Sequence, residues 1–102
     1  MPAAIADDIL ILTAPSRLVA ETRVDFRCAA MEYVGRVGEG GGALTIDLRG
    51  TQDVDASGLG ILVLVQKKAR ERGVVTRLAG VSDRLDALLR LTKLNTLFEI
   101  VP

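Results

Sequence analysis

Apolar positions along this chain change their spacing several times, and each change marks an element. Ile9-Leu10-Ile11-Leu12 is a short unbroken apolar run between Asp7-Asp8 and Pro15. That length, with breakers on both sides, predicts a buried strand. Pro2 to Ala6 is read as an edge strand pairing with it through the Asp7-Asp8 turn. From about Ala20 to Val37 the spacing lengthens: Phe26, Ala30, Tyr33 and Val37 recur at intervals that share one helix face. Gly38 to Gly42, four glycines in five residues, then stops the helix in a flexible surface turn. It is not a phosphate loop, because no Lys-Ser/Thr follows and the next element is a strand.

Ala43 to Leu48 alternates strictly, with Leu44, Ile46 and Leu48 on one side, the pattern of a strand. After a loop from Arg49 to Asp55, a second helix is expected from about Ser57 to Arg72. Its first half is apolar nearly all round. Its second half, Lys67-Lys68-Ala69-Arg70-Glu71-Arg72, is a solvated end whose cations suit the helix dipole. Gly73 ends it, and Val74 to Ala79 reads as a strand. Ser82 is a suitable N-cap for a third helix with Leu85, Leu88 and Leu89 inside and Asp83 and Asp86 in the first turns. Leu94, Leu97 and a short strand near Phe98 to Val101 close the series. Alternating strands and helices predict an α/β domain, a mostly parallel or mixed sheet of four to five strands with helices packed against it.

A length of 102 residues accommodates one domain, taken as 1–102. Thirteen Lys and Arg balance thirteen Asp and Glu, so no broad basic footprint for nucleic acid or anionic lipid exists. The longest apolar run, Ile61 to Val65, falls far short of the roughly 20 residues that cross a bilayer. No signal peptide is expected, and the lone Cys28 excludes an intramolecular disulfide. A cytoplasmic location follows as the expectation. Cys28 itself is expected to be a small, buried or half-buried helix residue. The chain holds no histidine, which removes imidazole-based triads and metal sites. Neither a cofactor nor a metal is expected. Asp53 and Asp55 lack a nearby nucleophile or orienting histidine, so turn and cap roles fit them better than acid–base catalysis.

One segment carries more information than the rest: Asp47-Leu48-Arg49-Gly50-Thr51-Gln52-Asp53-Val54-Asp55-Ala56-Ser57-Gly58-Leu59-Gly60-Ile61-Leu62. A strand ends, a loop follows, and a helix begins at Asp-Ala-Ser-Gly-Leu-Gly. Either Asp55 or Ser57 can cap the free N–H groups there. Two glycines in the first turns each cost roughly 1 kcal/mol relative to alanine. Accepting both implies that backbone approaches something closely, a neighbouring strand or a partner. Ile61, Leu64 and Val65 cannot all share an inner face with Leu59, Leu62 and Val63, so some either form an exposed apolar patch or lie under a neighbouring helix.

This segment resembles the signature of the STAS family, named after sulfate transporters and anti-sigma factor antagonists. The basic helix end before Gly73 and the run Val81-Ser82-Asp83-Arg84-Leu85, Leu88-Leu89, Leu91-Thr92-Lys93-Leu94 are similar to that family as well. The resemblance implies a non-catalytic regulatory module that docks on an anti-sigma factor, a serine kinase-like ATPase, and takes part in partner switching. It implies a partner surface at Asp55, Ala56, Ser57, Gly58, Leu59, Ile61 and Leu62. In phosphorylated members the acceptor directly follows the loop Asp, and here that position is Ala56. Ser57, at the second hydroxyl position, is the candidate phosphoacceptor that remains. Thr13-Ala14-Pro15-Ser16-Arg17-Leu18 also departs from the Gly-Glu-Leu-Asp-like turn of many antagonists. The alternative within the family is the small STAS subunit of a bacterial lipid-transport ABC complex, contacting its ATPase subunit. An alternative of another class is a nucleotide-binding protein or small enzyme using the helix start as an anion cradle. A homodimer is compatible with all three.

Overall fold

Ala43–Asp47 forms β3, one of the two interior strands of the sheet. In the computed structural model, which describes residues 9–37 and 42–101, β1 (Ile9–Thr13) and β5 (Val75–Ala79) flank β3. A short β6 (Glu99–Val101) extends the sheet beyond β5, and every pairing is parallel. Register aligns Leu12, Ile46, Leu78 and Ile100 in one row across all four strands. Leu12, Ile46 and Leu78 belong to the hydrophobic core, and the half-buried Ile100 packs against it. The adjacent row, Ile11, Thr45, Arg77 and Glu99, points the other way. Ile11 is 61% exposed there, and Arg77 pairs with Glu99. Among the described residues, helices therefore cover one face of the sheet, and none covers the other. The expected pairing of Pro2–Ala6 falls outside the described residues, as do Gly38 to Gly41 of the glycine turn.

Two helices, α1 (Arg23–Val37) and α2 (Ala56–Glu71), pack side by side on the covered face. Phe26, Ala30 and Val34 are buried along α1, with Tyr33 half-buried beside them. Val34 was not among the expected inner positions. It sits one residue after Tyr33 and widens the apolar stripe to the breadth that contact with both sheet and helix needs. The helix also starts three residues later than its pattern suggests. Val19 N–H donates to Thr22 Oγ1 (3.1 Å) and Thr22 N–H to the Val19 carbonyl (3.0 Å), so residues 19–22 form a turn. Cys28 is exposed rather than buried, because it lies on the solvent side of α1 between the buried Phe26 and Ala30.

Helix α2 ends as its sequence predicts. Gly73 takes φ 75°, a left-handed conformation that favours glycine. Its N–H reaches the Arg70 carbonyl (3.0 Å), while Val74 N–H reaches that of Ala69 (2.9 Å). This is the Schellman arrangement, and both of its ends, Val74 and Ala69, are buried in the core. The third helix, α3 (Asp83–Leu91), is capped by Ser82 Oγ, which accepts from Leu85 N–H at 3.1 Å. Leu85 and Leu89 enter the core and Leu88 stays half-buried. A 3-10 turn over Leu94–Leu97 leads into β6.

One hydroxyl in this interior is unpartnered among the described residues. Thr76, 3% exposed on β5, buries its Oγ1 without a hydrogen bond. Leaving a buried donor unsatisfied costs on the order of 1–3 kcal/mol. Thr76→Val keeps the branched shape and removes that cost. Urea denaturation is expected to show the variant more stable by about 1 kcal/mol.

Candidate functional site

Two loops at the carboxyl ends of β1 and β3 are joined to each other before α2 begins. Arg17–Leu18 (β2) and Asp53–Val54 (β4) pair in parallel as a separate two-stranded ribbon. The pairing continues on either side of it. Gln52 N–H donates to the Ser16 carbonyl (2.8 Å), Asp55 N–H to that of Leu18 (3.3 Å), and Thr51 Oγ1 to that of Pro15 (2.7 Å). Arg17 and Asp53 add an exposed ion pair at 3.4 Å. Strands of two residues each carry no readable period, so hydrophobic patterning held no signal for this ribbon.

Asp55 terminates the ribbon and starts the helix. Its extended backbone (φ −98°, ψ −173°) is that of an N-cap, and Oδ1 accepts from Gly58 N–H at 2.8 Å. Oδ2 accepts from Ala20 N–H at 3.3 Å, so one carboxylate ties the helix start to the β2 loop. The Gly58 N–H holds the carboxyl below its ordinary value of 3.8, helped by Ala20 N–H and opposed by a lesser desolvation effect. Of the two capping residues that the sequence offered, Asp55 is the one used. Ser57 stands free in the first turn, half-buried, next to the exposed Ala56.

The two glycines of this turn have different reasons. Gly58 is buried against the chain: a Cβ there would overlap the Leu18 carbonyl oxygen and press on Leu18 Cγ at 3.1 Å. Gly60, two residues on, is exposed with nothing near its missing side chain, and its φ is not positive. Nothing within the described chain requires glycine there.

Burial divides the residues anticipated as a partner surface. Asp55 and Ala56 are exposed, and Ser57 and Leu59 are half-buried. Gly58, Ile61 (8% exposed) and Leu62 (0%) are interior. The last three support the corner from within and cannot themselves be touched, because α2 turns that side onto the sheet and β2. The exposed side of α2 instead carries Ala56, Gly60 and Lys67, flanked by the half-buried Val63 and Leu64. Gly60 is thus a surface position that the expected partner surface omits. Its spacing of four from the exposed Ala56 was the available signal.

The chain that builds this corner matches the family model of the STAS domain over residues 1–102. The chain belongs to the STAS domain family. Among solved structures, a provisionally assigned anti-sigma factor antagonist from Thermotoga maritima superposes with a TM-score of 0.76 at 22% identity. That match covers 92% of this chain and 79% of the other. An anti-sigma factor antagonist STAS domain protein from Planctomyces limnophilus also gives 0.76, at 20% identity over 88% and 79%. A sulfate transporter family protein from Wolinella succinogenes gives 0.70, at 22% identity over 91% and 75%. At such identities these likenesses speak for the STAS fold. No curated protein sequence matches. No helix among the described residues is long and apolar enough to cross a membrane.

Opposite stability effects are expected at the two glycines. Gly58→Ala forces the helix away from Leu18 and lowers stability by about 2 kcal/mol or more, whereas Gly60→Ala raises it by about 1 kcal/mol through helix propensity. Urea titration of both variants checks the pair. A pH series tests the cap. Because the folded Asp55 carboxyl titrates below 3.8, its ionised form stabilises the fold above that value and the contribution is lost as pH falls below it. Asp55→Asn is therefore expected to flatten the acid-side decline in urea midpoint relative to the wild type.

Proposed function

We propose that this STAS domain is a non-catalytic regulatory module of the anti-sigma factor antagonist kind, acting by docking on a serine kinase-like ATPase that otherwise holds a sigma factor. The observation that carries this reading is Gly60. A glycine inside a helix costs stability, and here neither backbone conformation nor internal packing calls for it. A surface from which side chains are withheld at Ala56 and Gly60 admits the backbone of another macromolecule to close range. Asp55, rigidly held by two N–H groups, presents its carboxylate at the edge of that surface. The half-buried Leu59, Val63 and Leu64 supply apolar contact beside it. Two of the structural neighbours are described as anti-sigma factor antagonists, which favours the same class of partner.

Regulation departs from the phosphorylated members of the family. Ala56 has no hydroxyl at the acceptor position, and a phosphate on Ser57 would lie close to the Asp55 carboxylate, whose repulsion opposes it. The domain is accordingly held in its binding-competent state and docks constitutively, inside the cytoplasm.

Calorimetric titration with an ATPase of this type, with and without ATP, tests the proposal. Wild type binds under both conditions and stays unmodified by mass spectrometry. Gly60→Leu, which fills the space that the partner requires, loses at least tenfold in affinity while its urea midpoint is not reduced. Binding by Gly60→Leu at wild-type strength overturns the assigned surface.

A further inference from the structure

A second concave region lies beside this corner, on the other side of Val54. The loop Thr51–Val54 and one face of α3 border an open cleft of about 330 Å³. Arg84, Ala87, Leu88 and Leu91 line it at helical spacings of three, one and three, so they form a single stripe along α3. This stripe is distinct from the inner positions Leu85 and Leu89, although Leu85 also reaches the cavity floor. Leu91, at its lip, is 81% exposed. A lone exposed leucine is ordinary, but one that continues an apolar wall into a cavity extends a binding surface.

The polar groups around the cavity differ in their availability. Thr51 Oγ1 is engaged by the Pro15 carbonyl and Ser82 Oγ by the Leu85 N–H. Arg84 is the one charged residue of the lining and forms no ion pair among the described residues. It also borders the neighbouring polar cleft, where Arg17, Glu21, Asp53 and Asp55 lie. Of those acids, Asp53 is taken by Arg17 and Asp55 by its two N–H groups. Among the described residues of that cleft, Glu21 is the acid that has neither an ion pair nor a side-chain hydrogen bond. An apolar trough with a free guanidinium at one side is complementary to a short aliphatic chain ending in a carboxylate. Its volume lies at the lower end of small-ligand cavities, roughly 300–1,000 Å³.

We propose that this cleft is a binding site for an aliphatic carboxylate, with the chain along Val54, Leu88 and Leu91 and the carboxylate on Arg84. The site does not depend on the partner-binding reading of α2.

Octanoate, octylammonium and octanol serve as probes, with binding followed through the leucine methyl resonances of the full chain. Octanoate is expected to shift Leu85, Leu88 and Leu91 saturably and at least tenfold more tightly than octylammonium. Arg84→Glu, a change at an exposed position, reverses that preference, and Leu91→Gln weakens octanoate several-fold. Equal response to octanoate and octanol overturns the carboxylate assignment and leaves an apolar seat suited to a protein side chain. Shifts that fail to saturate, or that fall on the open sheet face, overturn the site altogether.

Discussion

The backbone of Leu18 is the fixed point against which the start of α2 is set. Its carbonyl accepts from Asp55 N–H and lies so near Gly58 that no side chain fits between them. The Asp55 carboxylate completes the junction by bonding forward to Gly58 and across to Ala20. Three groups from two distant loops therefore fix one helix terminus in position and angle. Below it, Leu18 and Leu62 are wholly buried, so the same junction is anchored in the hydrophobic core. The surface offered by Ala56, Leu59 and Gly60 inherits its rigidity from this contact.

Much of this was legible in the sequence because the signals were long or chemically specific. Leu44, Ile46 and Leu48 alternate, and all three are buried. Ser82 and Gly73 mark a helix start and stop, and both perform those roles. What the sequence could not carry was pairing between short distant segments. The ribbon of β2 and β4 is held largely by main-chain bonds, which leave no side-chain period to read. The same reason explains the late start of α1, whose preceding N–H groups are claimed by Thr22 and Asp55. Gly58 and Gly60 look alike in the sequence, and only the position of Leu18 distinguishes them. Placing Ile61 and Leu62 on the surface failed for a related reason. A helix apolar nearly all round gives little indication of which side faces the sheet, and here the ribbon and the core decide it.

Purely parallel sheets usually bury both faces, yet among the described residues helices cover this one on one side. The uncovered face is made tolerable by composition. Thr45, Arg77 and Glu99 occupy the same row as Ile11, and the Arg77–Glu99 pair lies across the two outermost strands on that side. Polar alternation of that kind lets a small chain gather its aliphatic residues into a single core. That arrangement leaves α3 attached at the margin by Leu85 and Leu89, with Arg84, Ala87 and Leu91 exposed on another flank.

Because the helix start is positioned by residues some thirty-five places earlier in the chain, it cannot be excised as a linear epitope. A synthetic peptide spanning the loop and first turns of α2 would retain Asp55 and both glycines but lose the Leu18 carbonyl and the Ala20 N–H that orient them. Isolated helices of this length are marginal in water, and two glycines weaken this one further. Inhibitors or affinity reagents patterned on the corner would thus need a scaffold carrying both loops.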